Sequence, residues 1–324
     1  LDYNGDGHSH PTAGIFRTYC VPGTTEVLTR EGWVALQDWS GGDIMQARED
    51  GTMDFLPAER FVGPETSEWV QIDHSRLSCL FTPGHTMPYI SQLGAWKSTQ
   101  AGTMLSGTDR KLPVAGKFQG AGRQPLGGRI AKLPMQILAA VQADGYFRPN
   151  GSVVFTFEKL RKIERLRNLL QSCGVTHREY RCAAYPGRVE FHIGKKSRPQ
   201  WMRPERKQLG PWVLDADPVA LRAFVEELRY WDGSEHKDGG FRYVSAVEEN
   251  VLWATTAAAL VGIRASAHVQ NADGMFSAHF SEGPATIMVR PDRHCSEARK
   301  PLRAYCATTQ TGYWLARSGR HIFI

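Results

Sequence analysis

The run Ile137-Leu138-Ala139-Ala140-Val141-Gln142-Ala143-Asp144-Gly145 and its echo Phe224-Val225-Glu226-Glu227-Leu228-Arg229-Tyr230-Trp231-Asp232-Gly233 decide how this chain is built. Each reads as a largely apolar helix that ends in an acid and a glycine. The two acids stand 88 residues apart (232 − 144 = 88). The same offset relates Phe155 to Tyr243, two residues in strand-like runs. It also relates Gly174 to Gly262, which follow helices expected over 161–170 and 251–260. Further strands are expected at 189–193 and 278–280. Three landmarks at one offset indicate an internal duplication of a unit made of a helix, two strands, a helix and two strands.

On both sides of this unit the pattern turns to β. Short apolar runs at 26–28, 33–36, 44–47, 69–72 and 79–81 alternate with turns such as Ser40-Gly41-Gly42-Asp43 and Asp50-Gly51. Between 112 and 132 five glycines (116, 120, 122, 127 and 128) among basic residues predict a flexible linker. β character returns from 304, with runs at 305–309, 313–317 and 322–324. The expected division is a leader over 1–19, β over 20–115, linker over 116–132, duplicated unit over 133–295 and β again over 296–324. The fold class is an all-β domain interrupted by a duplicated α/β (α+β) domain.

Composition sets bounds. A chain of 324 residues that is 41% hydrophobic suits two domains with real cores. No apolar run approaches the roughly 20 residues of a membrane span, so no membrane partner is expected. The polar start, Leu1 to Asp6, has neither an apolar centre nor a leading Met, and reads as an internal piece of a longer, unexported chain. Six cysteines without a CxxC pair or zinc-like His spacing predict reduced thiols and a cytoplasmic, intracellular setting. The net charge is +6, and its whole excess lies over 117–303, where 29 Lys and Arg face 19 Asp and Glu. That points to a polyanionic partner for the middle segment, against the plainer alternative of a solvated mixed surface.

Two clusters carry chemistry. Helices that each finish in an acid, packed side by side, bring Asp144 and Asp232 to one rim, where paired carboxylates can hold Mg²⁺ beside a phosphodiester. Small Ala139, Ala140 and Ala143 permit the close approach; the plain alternative is a C-cap before each glycine turn. Cys20 sits where a Gly- and His-rich leader gives way to a turn (Pro22-Gly23) and a strand-like run. A thiol there is a candidate nucleophile, with a buried small hydrophobe as the alternative.

The duplicated motifs resemble those of the LAGLIDADG homing endonucleases over about 130–295. The resemblance implies a monomer with a pseudo-two-fold axis, a saddle of two four-stranded sheets on double-stranded DNA, and Mg²⁺-dependent cleavage of both strands. It also implies a basic residue beside the metals, assigned to Lys195 or Lys196. Glu227, Tyr230 and Trp231 are larger than the residues that family places in the second helix.

The flanking β segments resemble an intein. Cys20-Val21-Pro22-Gly23-Thr24 is similar to its first block, Thr82-Pro83-Gly84-His85 to its TxxH block, and Tyr305-Cys306-Ala307-Thr308-Thr309 with Arg320-His321-Ile322-Phe323-Ile324 to its last blocks. The match implies a Hint-type β domain and attack of the Cys20 thiolate on the carbonyl of Tyr19. His85 then protonates the leaving nitrogen and Thr82 orients the peptide. Cys306, in place of the usual Asp, tunes the thioester steps, and His321 is a candidate for assisting the final one. The terminal Asn and downstream nucleophile are expected beyond Ile324. Gly14 to Tyr19 resembles a piece of a phage-type family A DNA polymerase, which makes host polypeptide flanks the second partner. Two alternatives stay open: a splicing element whose insert only binds DNA, and a free-standing endonuclease without autoprocessing.

Overall fold

The computed structural model describes residues 20–120, 129–181, 183–236, 239–268 and 274–324. The leader and Tyr19 lie outside them. Among the described residues no helix is long and apolar enough to cross a membrane.

The β portion hangs on one strand, Thr52–His74, 23 residues long. It pairs antiparallel with Gly42–Ala47 at its start, with Leu77–Phe81 at its end, and with Cys295–Thr309 along most of its length. The sequence pattern predicts a strand over only 69–72 of it, and Gly63 and Pro64 interrupt the run. The ladder explains their tolerance. Register passes from Val62↔Tyr305 to Glu65↔Arg303, so Gly63 and Pro64 fall in a bulge that needs no regular ladder donor. The short strand Val21–Pro22 pairs with the far edge of Cys295–Thr309, and a second sheet joins Thr286–Val289, Arg110–Pro113, Thr86–Ile90 and Trp96–Gln100.

The middle segment is duplicated in space as in sequence. Helix α1 (Lys132–Asp144), two strands, α2 (Leu160–Ser172) and two strands are followed by α3 (Pro218–Trp231), two strands, α4 (Glu248–Leu260) and two strands. Each copy builds a four-stranded antiparallel sheet with the same internal order. The strands Val153–Phe157 and Phe241–Ser245, like α2 and α4, coincide at the 88-residue offset. Both α2 and α4 end in the same cap: Gly174 and Gly262 take positive φ (66° and 73°). Val175 N–H bonds to Leu170 O and Ile263 N–H to Ala258 O, each at 2.9 Å, as a Schellman turn requires. Asp217 caps α3 by accepting from Ala220 N–H, with Pro218 at the first turn.

Helices α1 and α3 pack against each other with Ala139, Ala140 and Val225 fully buried. The large residues of α3 are accommodated without separating them. Glu227, 1% exposed, receives hydrogen bonds from Gln136 Nε2 (2.9 Å), Arg165 Nε (2.8 Å) and Trp231 Nε1 (3.2 Å). Its buried charge is thereby paired and saturated. Tyr230 points outward beneath the Arg165 guanidinium, and Trp231 packs on Phe157.

The copies differ in what covers their second helix. In α2 only Ile163, Leu166, Leu169 and Leu170 are buried, a single stripe. In α4 nearly every side chain from Asn250 to Leu260 is buried, as expected for a helix apolar all round. The β portion covers its other side. Trp33 Nε1 donates to Thr256 Oγ1 (3.0 Å), Gly116 N–H to Ala259 O (2.9 Å), and Leu28, Met45, Phe55 and Leu315 share one core with Trp253. The stretch expected to be a flexible linker is therefore structured at both ends. Lys117–Phe118 forms a strand beside Thr52 and Met53 because Phe118 buries edge-on to Phe55 (5.9 Å), and Lys132 opens α1; residues 121–128 lie outside the described residues.

The chain leaves and rejoins the β portion at one place. Val114 N–H donates to Ala285 O (3.0 Å), and Thr286 pairs with Pro113. The β portion thus resumes near Thr286, ahead of the boundary expected at 296.

One core across both parts has a measurable consequence. Trp253→Ala is expected to cost about 3–5 kcal/mol and to shift the denaturation midpoints of both parts together. The check is guanidinium unfolding followed by far-UV circular dichroism and by limited proteolysis; midpoints that separate in the parent protein would refute the shared core.

Candidate functional site

Cys20 is buried, 2% exposed, and its main chain is bracketed by one residue. Its N–H donates to Thr82 Oγ1 (2.9 Å), Thr82 N–H donates to Cys20 O (2.9 Å), and the Thr82 hydroxyl lies 3.3 Å from that same oxygen. A hydroxyl can accept from the N–H and donate to the carbonyl at once. Thr82 to His85 forms a turn closed by His85 N–H to Thr82 O (2.9 Å). That turn places the His85 ring between Phe81 (5.0 Å) and Trp314 (6.1 Å), on a pocket also lined by Val21, Phe323 and Ile324. Cys306 arrives on Cys295–Thr309. A hydrogen bond from the Cys306 thiol holds the Cys20 thiol below its usual pKa, against burial, which pushes it up.

The structure therefore gathers Cys20, Thr82, His85 and Cys306. His321 does not join them: it faces the insert, beside Arg76 and Asp73 and near His268. Trp314 was missed in the sequence, where it is one aromatic among nine tryptophans; only the fold sets it against His85.

The second site lies where α1 and α3 end. Both acids are followed by glycine for a steric reason. A Cβ on Gly145 would stand 2.8 Å from Val141 O, and one on Gly233 would stand 2.5 Å from Arg229 Cα. Lys162 Nζ is 2.6 Å from Asp144 Oδ2 and 3.9 Å from Asp232 Oδ1, bridging the two copies. Lys207 Nζ donates to Gln142 O (2.7 Å) and Ala143 O (3.0 Å), the carbonyl end of α1, where a cation is favoured. Burial pushes the Lys207 ammonium down from its usual pKa, and Asp144 and Asp232 oppose this. Beside it opens a cleft of about 580 Å³ lined by Gln142, Lys207, Asp232, Ser245 and Asn250.

The basic residues at the rim are thus Lys162 and Lys207. Lys195 and Lys196, the sequence assignment, sit exposed in the turn after Val189–Ile193, with the Lys195 stem near Gly151. The two-fold relation breaks here: 88 residues after Lys162 stands Asn250. It is buried, with its amide accepting from Leu209 N–H (2.7 Å) and donating to Ser245 Oγ (3.1 Å).

Among the described residues no group of three or more His, Cys, Asp and Glu is arranged to hold a metal. The Asp144–Asp232 pair, with side chains 25% and 35% exposed, supplies hard oxygen donors open to solvent. That donor set fits Mg²⁺, which keeps several of its waters and takes few protein ligands.

No family model and no curated protein matches the chain. Among solved structures it is similar to mesophilic variants of the homing endonuclease I-DmoI, at 14% identity and a TM-score of 0.36, covering 47% of this chain and 89% of that one. It is also similar to the N-terminal LAGLIDADG domain of DUF199/WhiA (12%, TM-score 0.34, 47% and 76% covered). A third similar structure is full-length DUF199/WhiA from Thermatoga maritima (14%, TM-score 0.35, 49% and 53% covered). Other I-DmoI structures of this kind were solved in complex with DNA and Mn, or with DNA and Ca.

Burial, and after it the Asp144 charge, pushes the Asp232 carboxyl up from its usual pKa, against Lys162 and Lys207. The folded state resists ionising this group, so stability is lost as pH rises through its folded pKa. Asp232→Asn is therefore expected to melt above the parent at about pH 7 without divalent metal. The gap should close towards about pH 3, where the parent carboxyl is protonated in both states. Thermal unfolding across that range checks it; a variant that melts below the parent at neutral pH would contradict it.

Proposed function

We propose that this chain is a protein-splicing element carrying a DNA-cleaving insert. The observation that carries the splicing half is the Thr82 bracket around the Cys20 amide, with His85 and Cys306 beside it. The Cys20 sulfur attacks the Tyr19 carbonyl carbon, the Tyr19–Cys20 C–N bond breaks, and a thioester replaces the amide. An amide nitrogen leaves badly unless protonated, and His85 supplies that proton. Thr82 holds the nitrogen in register, and the Cys306 S–H stabilises the attacking thiolate.

The DNA half rests on the meeting of Asp144, Asp232, Lys162 and Lys207 at one rim of a basic, duplicated unit. Mg²⁺ held by Asp144 and Asp232 would activate water and neutralise the phosphodiester. Lys207 and Lys162 place positive charge where negative charge develops on the phosphate. Sheet residues such as Arg178 and Arg181, both exposed, offer backbone contacts to double-stranded DNA.

One observation favours a second reading of the insert. The Lys162 ammonium sits between the two carboxylates and meets part of the charge demand that a metal would. A unit that binds DNA without cutting it has the same geometry.

Placed with native flanks between two reporter proteins, the chain is expected to yield ligated reporters, and Cys20→Ala none. His85→Ala should slow thioester formation by about 10²–10⁴-fold. Ligation that persists in Cys20→Ala would sink the mechanism. Cleavage of DNA spanning the uninterrupted host sequence is expected to need Mg²⁺, to stop with EDTA, and to be lost in Asp144→Asn. Salt-sensitive binding without cleavage would select the second reading.

A further inference from the structure

Cys20, just before the strand Val21–Pro22, and Cys306, within Cys295–Thr309, meet at the proposed splicing site. Val21 pairs with Tyr305 and Pro22 with Ala304. Continuing that antiparallel register by one residue sets Cys20 opposite Cys306. Directly opposed residues in such a ladder have Cα atoms about 4.5–5.5 Å apart, inside the span of about 4.4–6.8 Å that a disulfide bridges. Neither is in a disulfide, both are buried in one apolar cluster, and the Cys306 thiol hydrogen-bonds to the Cys20 sulfur. Cys306 Sγ also lies 3.5 Å from Ala307 O on its own strand.

Among the described residues no other cysteines are placed this way. Cys79 and Cys295 flank Ile72 from its two neighbouring strands. A whole strand between them sets them about 10 Å apart, too far to bond without backbone movement.

We propose that Cys20 and Cys306 form a reversible disulfide that turns acyl transfer off. The inference rests on Cys20 being the splicing nucleophile. Oxidation needs a low-molecular-weight disulfide such as glutathione disulfide as oxidant. The Cys20 thiolate attacks one of its sulfurs and expels one thiolate, which takes up the proton Cys20 released. Cys306, losing its own proton, then attacks the Cys20 sulfur of the mixed disulfide and expels the second thiol. Two protein thiols and one small disulfide become one protein disulfide and two small thiols. The sulfur that would attack Tyr19 is then bonded and has no lone pair free for a carbonyl at thiolate strength. Because oxidant reaches the buried pair slowly, the bond is expected to form over hours.

The test uses the whole chain, equilibrated in glutathione disulfide or in reduced glutathione. Free thiols are then capped with N-ethylmaleimide, and peptides are mapped by mass spectrometry. Hydroxylamine cleaves thioesters without reducing disulfides, so fragment 1–19 released by it reads the acyl shift. Oxidised protein is expected to yield a linked Cys20–Cys306 peptide and no fragment, with release restored by a phosphine reductant. Cys79 and Cys295 should stay capped. In Cys306→Ser, whatever its rate, release should be the same in both buffers. An oxidised protein with no linked peptide, or a Cys306→Ser variant whose release still falls on oxidation, overturns the proposal. Reduced parent protein that releases no fragment refutes the splicing reading instead, and leaves the peptide map to judge the disulfide.

Discussion

The antiparallel ladder between Thr52–His74 and Cys295–Thr309 is the constraint from which the rest follows. Its two strands are separated by more than half the chain, so this pairing is what makes one body out of two β segments. Once it forms, Val21 and Pro22 can add to the outer edge of the second strand, and Cys20 is carried to Cys306. The hairpin partner Leu77–Phe81 is set at the other edge of the first strand and delivers the Thr82–His85 turn to the same spot. Cys20, Cys306 and the Thr82–His85 turn come from three distant segments, yet a single register brings all of them together.

The duplicated insert shows how one unit serves two environments. Its copies share strand order, helix spacing and cap geometry, which local sequence dictates. They diverge where surroundings differ. Helix α2 keeps one apolar stripe and a basic outer face, whereas α4 has lost its polar face because the β portion lies on it. The rim inherits this asymmetry: Lys162 of the first copy reaches across to the acid of the second, while Asn250 is withdrawn into packing. Glu227 is the oddest resident of the helix interface, and Gln136, Arg165 and Trp231 saturate it so that the helices need not part.

Much of this was legible in the sequence, for reasons that can be named. The duplication declared itself through glycines that a Schellman turn requires and through acids that close two helices, all at one offset. Cys20, Thr82 and His85 stand out through short motifs whose turn chemistry is local, and the fold sets these residues near one another. What stayed hidden depends on partners distant in sequence. The full length of the spine strand is hidden because Gly63 and Pro64 are innocuous only when a bulge meets them. Lys162 lies on a helix and Lys207 ends the short 3₁₀ turn Pro204–Lys207, and nothing local to either marks it as facing the acids; Lys195 and Lys196 are conspicuous only as an adjacent pair. The linker was overdrawn because glycine content outvoted Phe118, whose ring finds a pocket no window of sequence displays.

The junction of the insert with its host sheet has a consequence of its own. Val114 and Ala285 are hydrogen-bonded neighbours, so excising everything between them, the strand Lys117–Phe118 included, leaves two ends that a tight turn can join. Chain topology therefore sets no barrier to losing the insert. The barrier is wetting: Leu28, Met45, Phe55 and Leu315 share a core with Trp253 of α4, and without the insert they become a bare oily patch that invites self-association. A shortened descendant of this protein has to repaint that patch with polar side chains before it can live alone. The insert is a graft whose stem is narrow and whose bark has grown together with the tree.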